Sequence, residues 1–220
     1  MVVDMENNVL RNYEIKNRKI VFDGYTKVEL ITINDGIREY DREVLKTGNS
    51  VAAIIKDTTK NKYIFVSQYR PGSEGLMVEI VAGKIDEGEK PEEAIKREIM
   101  EETGYKVDAI KHLNDCYTSP GRVDEVMSIF YVEVSDKVNE GGGVDDELID
   151  IVEVEMLGLG GRIFFEDPMK TEIVPGEEHK IKPPYQLIDA KSLIAVMMLE
   201  NGNVLKDMAD VITQAKLRSL

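Results

Sequence analysis

The stretch GKIDEGEKPEEAIKREIMEETGY, from Gly83 to Tyr105, decides how the chain is read. Its second half predicts a helix, with Pro91 at the first helical position, acids in the first turn and Gly104 as the stop. Ala94, Ile95 and Ile99 form its apolar stripe. Glu98 is related to Glu102 by i,i+4 and to Glu101 by i,i+3, so three carboxylates leave the helix on nearly one side. Like charges at those spacings cost roughly 0.2–0.5 kcal/mol per pair. A solvated surface helix tolerates that cost, whereas a helix that holds a divalent cation uses it. Oxygen donors without His or Cys nearby favour hard ions, Mg²⁺ or Mn²⁺, over zinc. An isolated Glu-Glu pair is usually solvated surface. Here Gly83, Glu89, Arg97 and Gly104 are specified along with the three acids, and seven such positions coincide by chance in about one of 10⁸ windows.

Around this stretch lie 220 residues with 28 Lys plus Arg against 42 Asp plus Glu, a net charge of −14. That length suits one domain, or a domain with a small appendage. A hydrophobic content of 42% is enough to build a core. The acidic balance argues against a nucleic-acid partner, because phosphate backbones need a basic surface. No apolar run approaches the ~18 residues of a membrane span, and MVVDMENNVLRNYEIKNRK lacks a basic-then-apolar signal layout, so a cytoplasmic protein without a membrane partner is expected. Cys116 alone excludes an intrachain disulfide framework. Two histidines, His112 and His179, leave little for zinc chemistry. His112 and Cys116 read as structural.

The segments before the helix read as strands. EIKNRKIVFDGYTKVELITIN carries a hairpin turn at Asp23-Gly24, and IREYDREVLKT follows a turn near Asp35-Gly36. SVAAIIKD and KYIFVSQYR flank the polar turn DTTKNK, and LMVEIVAG is one further short strand. After the helix come KVDAIKHLNDCY, VMSIFYVEVSD and IDIVEVEML as strands, then helical patterns at AKSLIAVMMLEN and VLKDMADVITQAKL. Gly158 to Pro184 reads as a long surface excursion. The expected class is α+β: a mixed sheet flanked by helices, preceded by a β-rich segment.

The Gly83 segment resembles the Nudix box, G-x5-E-x7-R-E-U-x-E-E-x-G-U with U apolar, at every fixed position; Tyr105 stands where an aliphatic residue is usual. The resemblance implies an α/β/α sandwich around a mixed sheet, in a metal-dependent hydrolase of nucleoside diphosphates linked to another group. It implies residues 1–46 as a β-rich N-terminal dimerisation segment, exchanged between subunits of a homodimer, and 47–220 as the hydrolase domain. Carried over to this chain, Glu98 and Glu102 are the main metal ligands, with Glu101 a further ligand or support. The Ala82 carbonyl before Gly83 is an additional ligand, Arg97 orients the acids and Glu89 stands outside them. Two or more Mg²⁺ or Mn²⁺ ions are implied, which neutralise a diphosphate and acidify water for attack.

SQYRPG, EIVAGKIDEGE and YTSPGRVDEV resemble the ADP-ribose and nucleotide-sugar pyrophosphatase branch. REVLKTGN, SPGRVDEVMSIFYVEVSD and EGGGVDDELIDIVEV are similar to the GDP-mannose pyrophosphatase group within it. That likeness implies GDP-mannose cleaved to GMP and mannose 1-phosphate. ADP-ribose or a UDP-sugar is the alternative, and a non-catalytic nucleotide-binding module the third reading, whose mark would be a damaged box. In the acidic loop, Glu147 matches an additional metal-binding acid. Asp145 matches a proposed catalytic base, where a glutamate is usual. Without the box, Gly141 to Glu147 would read as a flexible acidic turn. Arg70 and, from a partner chain, Arg42 are candidate phosphate contacts, although each taken singly is more often a surface ion pair. Tyr25 matches a base-stacking position or is an ordinary strand tyrosine. Residues 158–184 depart from the group.

Overall fold

Asp23-Gly24 does turn the chain, from Glu14–Asp23 (β1) into Lys27–Asn34 (β2), with Glu14 opposite Asn34 at one end and Asp23 opposite Lys27 at the other. Asp35 Oδ1 then accepts the N–H groups of Ile37 and Arg38 at 3.0 Å each, and that turn leads into Glu39–Lys46 (β3). β3 pairs antiparallel with β2, completing a three-stranded sheet. The computed structural model describes residues 12–144, 147–154 and 189–200, and they fall into two compact units.

The first unit runs to Asn49 and takes in Tyr117–Glu125 as well. The latter segment lies along the end of β3: the Leu45 N–H donates to Arg122 O at 2.8 Å and the Asp124 N–H to Leu45 O at 3.2 Å. Asp124 also accepts the Thr47 N–H at 3.0 Å and pairs with Lys46. Ser119-Pro120-Gly121 thus belongs to a loop that closes back on the N-terminal sheet.

The second unit contains the elements Ser50–Asp57 (β4), Lys62–Arg70 (β5), Gly75–Glu79 (β6), Val81–Lys84 (β7), Pro91–Thr103 (α1), Tyr105–Tyr117 (β8), Val126–Lys137 (β9), Ile149–Val154 (β10) and Ala190–Glu200 (α2). The sheet order is β10-β5-β4-β9-β8, with β6 on β5 and β7 on β4. β4 and β9 run parallel, Ser50 opposite Met127 through Asp57 opposite Val134, while β5, β7 and β10 pair antiparallel, so the sheet is mixed. β4 is central and covered on both faces, which is why SVAAIIKD is a continuous apolar run rather than an alternating one. Val51, Ala53 and Ile55 pack with Ala94, Ile95 and Ile99 of α1 on one face. Ala52 and Ile54 pack with Ala195, Val196 and Leu199 of α2 on the other. The alternation of β4 therefore assigns one helix to each face, the α/β/α sandwich. Each buried Ile of α1 contributes about 1.5–3 kcal/mol to that docking.

One element differs from the sequence reading. LMVEIVAG is two strands, not one. β4 and β5 pair only from Ile55–Ile64 to Asp57–Lys62 and then separate. The returning chain fills the gap, following β5 as far as Glu79 and β4 from Val81 onward, so Ile80 marks a crossover. An apolar pattern carries no sign of such a change of partner. The excursion at 158–184 and the second C-terminal helix lie outside the described residues.

Candidate active site

α1 begins as its sequence directs: Pro91 is the first helical residue, Glu92 and Glu93 occupy the first turn, and the Glu93 carboxylate accepts the Lys90 N–H at 3.2 Å. It ends on Gly104, whose φ of 73° is left-handed and whose N–H bonds to Met100 O at 3.0 Å. Between these ends one arginine gathers the acids. Arg97 Nε and Nη2 each lie 3.0 Å from a Glu89 oxygen, and Nη1 lies 2.8 Å from Glu98 and 3.2 Å from Glu101. Nη2 also donates to Lys84 O at 2.9 Å, tying the helix to the end of β7. The Arg97 fork holds the Glu89 carboxyl below the usual carboxylate range.

Gly83 in β7 stands against Glu98. A Cβ on residue 83 would lie 1.9 Å from Glu98 Cδ and 2.1 and 2.3 Å from its two oxygens, so only glycine leaves room for that carboxylate. Burial raises the Glu98 carboxyl, and the charges of Glu101 and Glu147 add to this against the pull of Arg97. One turn on, Glu102 is 5% exposed and its Oε2 has no hydrogen-bond partner. Burial first, and then the neighbouring charges of Glu98 and Glu147, push its carboxyl up to about 8.

Glu147 reaches this neighbourhood because of the glycine triplet. The Gly142 N–H donates to Glu102 O at 2.8 Å and the Gly143 N–H to Glu101 O at 3.1 Å, so the loop caps the last carbonyls of α1. Gly141, Gly142 and Gly143 have φ of 69°, 104° and 88°, and a Cβ on Gly141 would meet the Thr103 carbonyl carbon at 2.5 Å. Gly142 and Gly143 are thus hydrogen-bonded to the end of α1. Glu147 stands four positions after Gly143, its N–H bonded to Val144 O at 3.1 Å. Asp145 lies outside the described residues.

Arg70 ends β5, and its fork is taken by Glu79, Nε to Oε1 at 3.0 Å and Nη2 to Oε2 at 2.8 Å. Glu79 is 3% exposed and also receives Lys191 Nζ of α2 at 2.6 Å. Burial alone would raise the Glu79 carboxyl, but Arg70 and Lys191 together hold it below its ordinary value. Both cations also act on Glu102, opposing its upward shift. The sequence reading did not single out Glu79 or Lys191; the pair is 112 positions apart and no local spacing signals it. Ala82 pairs with Ala52 inside the sheet. Tyr25 and Arg42 belong to the first unit. Tyr25 is fully exposed at the β1–β2 turn. Arg42 stacks 4.5 Å over the Tyr40 ring and, with Leu30, Asp41, Glu43, Gly121 and Arg122, lines an open cavity of about 400 Å³.

These residues fit a hard divalent cation. The donors are carboxylate oxygens, one is buried without a partner, and the mutual repulsion that raises Glu102 is what a 2+ charge would reverse. Among the described residues no three His, Cys, Asp or Glu side chains are gathered into a ready-made cage.

A family profile described as the NUDIX domain matches residues 46–172. A GDP-mannose pyrophosphatase of Cronobacter sakazakii is 35% identical over 156 residues, 65% of this chain and 81% of its own length. A GDP-mannose pyrophosphatase of Escherichia coli is 37% identical over 149 residues, 62% of this chain and 78% of its own length. A crystal structure of an ADP compounds hydrolase superposes with a TM-score of 0.56 at 23% identity, covering 66% of this chain and 78% of the other, a likeness of fold.

Proposed function

The chain belongs to the Nudix hydrolase family, and from that premise we propose that it cleaves the diphosphate of a nucleotide-sugar, GDP-mannose before ADP-ribose or a UDP-sugar, yielding GMP and mannose 1-phosphate from GDP-mannose. The observation that supports the chemistry is the docking of the glycine loop on the C-terminal turn of α1, beside the buried Glu102, whose carboxyl also feels the charges of Glu98 and Glu147. The preference for GDP-mannose is supported by the two GDP-mannose pyrophosphatases, 35% and 37% identical to this chain.

Glu98, Glu102, Glu147 and the Ala82 carbonyl would hold Mg²⁺ or Mn²⁺, two or more ions together. Bound there, the ions neutralise the diphosphate and acidify water. The chain's own part is to present carboxylate oxygens at a fixed place. Arg97 orients Glu98 and Glu101 through its guanidinium, Gly83 admits the Glu98 carboxylate, and Glu102 is buried. Glu101 supports this array, and Asp145 or Glu147 serves as the base that takes a proton from the attacking water. Arg70, anchored by Glu79, offers positive charge to a phosphate.

The enzyme acts as a homodimer, with Tyr25 and Arg42 contributed to the nucleotide site of the partner. Supporting this, β1 is exposed along its whole length although it carries Ile15, Ile20, Val21 and Phe22. A cytoplasmic location accords with a single cysteine, and among the described residues no helix is long and apolar enough to cross a membrane. The test is a panel of GDP-mannose, ADP-ribose and UDP-glucose incubated with Mg²⁺, with product release followed. GDP-mannose is turned over with the highest kcat/KM; no turnover of any member would refute the enzymatic reading.

A further inference from the structure

Ile80 is the residue at which the chain leaves β5 for β4. The last pair of β6 is Glu79 opposite Val66 and the first of β7 is Val81 opposite Ala53, so the Ile80 N–H falls between two ladders. At 1% exposure it has no access to water, and a buried N–H needs a partner. That partner is Ser192 Oγ at 3.0 Å, from a side chain with no exposure at all. Ser192 sits in the first turn of α2, its own N–H donated to Asp189 Oδ1 at 3.1 Å. The neighbouring Lys191 Nζ reaches Glu79 at 2.6 Å and Asp189 at 3.0 Å. The start of α2 therefore grips residues 79 and 80 twice, once by a side chain and once by the backbone. Three residues further along the chain, within β7, is Gly83, pressed against Glu98.

We propose that Ser192 is a positioning residue for the metal site: by holding the Ile80 N–H it fixes the strand crossover, and so the placement of Ala82 and Gly83 relative to Glu98. The inference rests on the metal assignment made above and extends it to a residue on the opposite face of the sheet from α1. Ser192 touches neither ion nor substrate. Its effect passes through four residues of backbone that the β4 ladder keeps straight, since Val81–Lys84 pairs residue by residue with β4. Removing partners that orient metal ligands commonly alters metal affinity by about 10–100-fold, and this more remote contact stands at the lower end, roughly tenfold.

The experiment compares the full-length wild type with Ser192→Ala and Ser192→Thr. Mn²⁺ binding is read from the loss of the free-ion electron paramagnetic resonance signal, and amide hydrogen exchange is read at Ile80. Ser192→Ala is expected to speed exchange at Ile80 and to weaken Mn²⁺ binding roughly tenfold. Ser192→Thr, which keeps the oxygen, is expected to restore both. Should Ser192→Ala not fold, Ser192→Cys, of similar volume but a weak acceptor, is read in its place. Wild-type Mn²⁺ affinity in the variant lacking the oxygen would overturn the proposal. Equal weakening in Ala and Thr would also overturn it, because packing rather than the hydrogen bond would then be at work. Absence of Mn²⁺ binding by the wild type would instead bring down the metal site, and this coupling with it.

Discussion

The Glu98 carboxylate fills the space that a side chain on residue 83 would need. The separation of 1.9 Å between a Cβ at that position and Glu98 Cδ is far inside van der Waals contact. The glycine of the box is thus required by a side chain fifteen positions later and not by backbone conformation, since its φ is not left-handed.

Gly83→Ala follows directly. The new methyl displaces Glu98 and, through Arg97, disturbs Glu101 and Glu89 as well. Overpacking of this kind costs about 1–3 kcal/mol, which a folded domain survives. Misplacement of an active-site group by about 1 Å costs on the order of 10²-fold in rate. The expected result is a cooperative thermal unfolding curve shifted down by a few degrees, with kcat/KM on GDP-mannose reduced at least about 10²-fold. A variant with wild-type turnover would show that Glu98 needs no such placement.

Gly141→Ala tests the loop instead of the helix. Its φ of 69° disfavours a side chain, and the Cβ would meet the Thr103 backbone at 2.5 Å. The loop must then lift from α1, and Gly142 and Gly143 release the Glu102 and Glu101 carbonyls. Glu147 leaves with it. The Mg²⁺ concentration for half-maximal activity should rise roughly tenfold, as when a metal ligand loses its support. An unchanged Mg²⁺ requirement would remove Glu147 from the metal site.

What the sequence made legible here is what is written locally. The i,i+3 and i,i+4 spacing of Glu98, Glu101 and Glu102, Pro91 and Gly104 at the helix ends, and the Asp23-Gly24 hairpin all rest on contacts within a few residues. The crossover at Ile80 was not legible, because it depends on β4 and β5 separating above Ile55 and Ile64. The Glu79–Lys191 pair and the Ile80–Ser192 bond join positions 112 apart and leave no periodic trace. The glycine triplet lay between these cases. Its acids are legible in the sequence, but the reason for three glycines, close approach to the end of α1, exists only in three dimensions.

Glu102 gives the pH dependence its sign. Its carboxyl is pushed up to about 8, first by burial and then by Glu98 and Glu147, whereas an unfolded-chain glutamate titrates near ~4.3. Between those values the folded protein holds a proton that the unfolded chain has released, so this group's contribution to stability falls as pH rises through the interval and levels out above about 8. A divalent cation binds the ionised form alone and reverses the repulsion, so Mg²⁺ should stabilise the protein more at about pH 9 than at about pH 6. Glu102→Gln cannot ionise. In EDTA the variant should be more stable than the wild type at high pH, with the two converging toward about pH 5, and in Mg²⁺ it should gain little and turn over no substrate. Urea unfolding across this pH range, with EDTA and with Mg²⁺, reads both quantities. A metal-free wild type whose stability does not decline relative to Glu102→Gln as pH rises would show that Glu102 carries no buried charge, and retained turnover in the variant would remove it from the metal site.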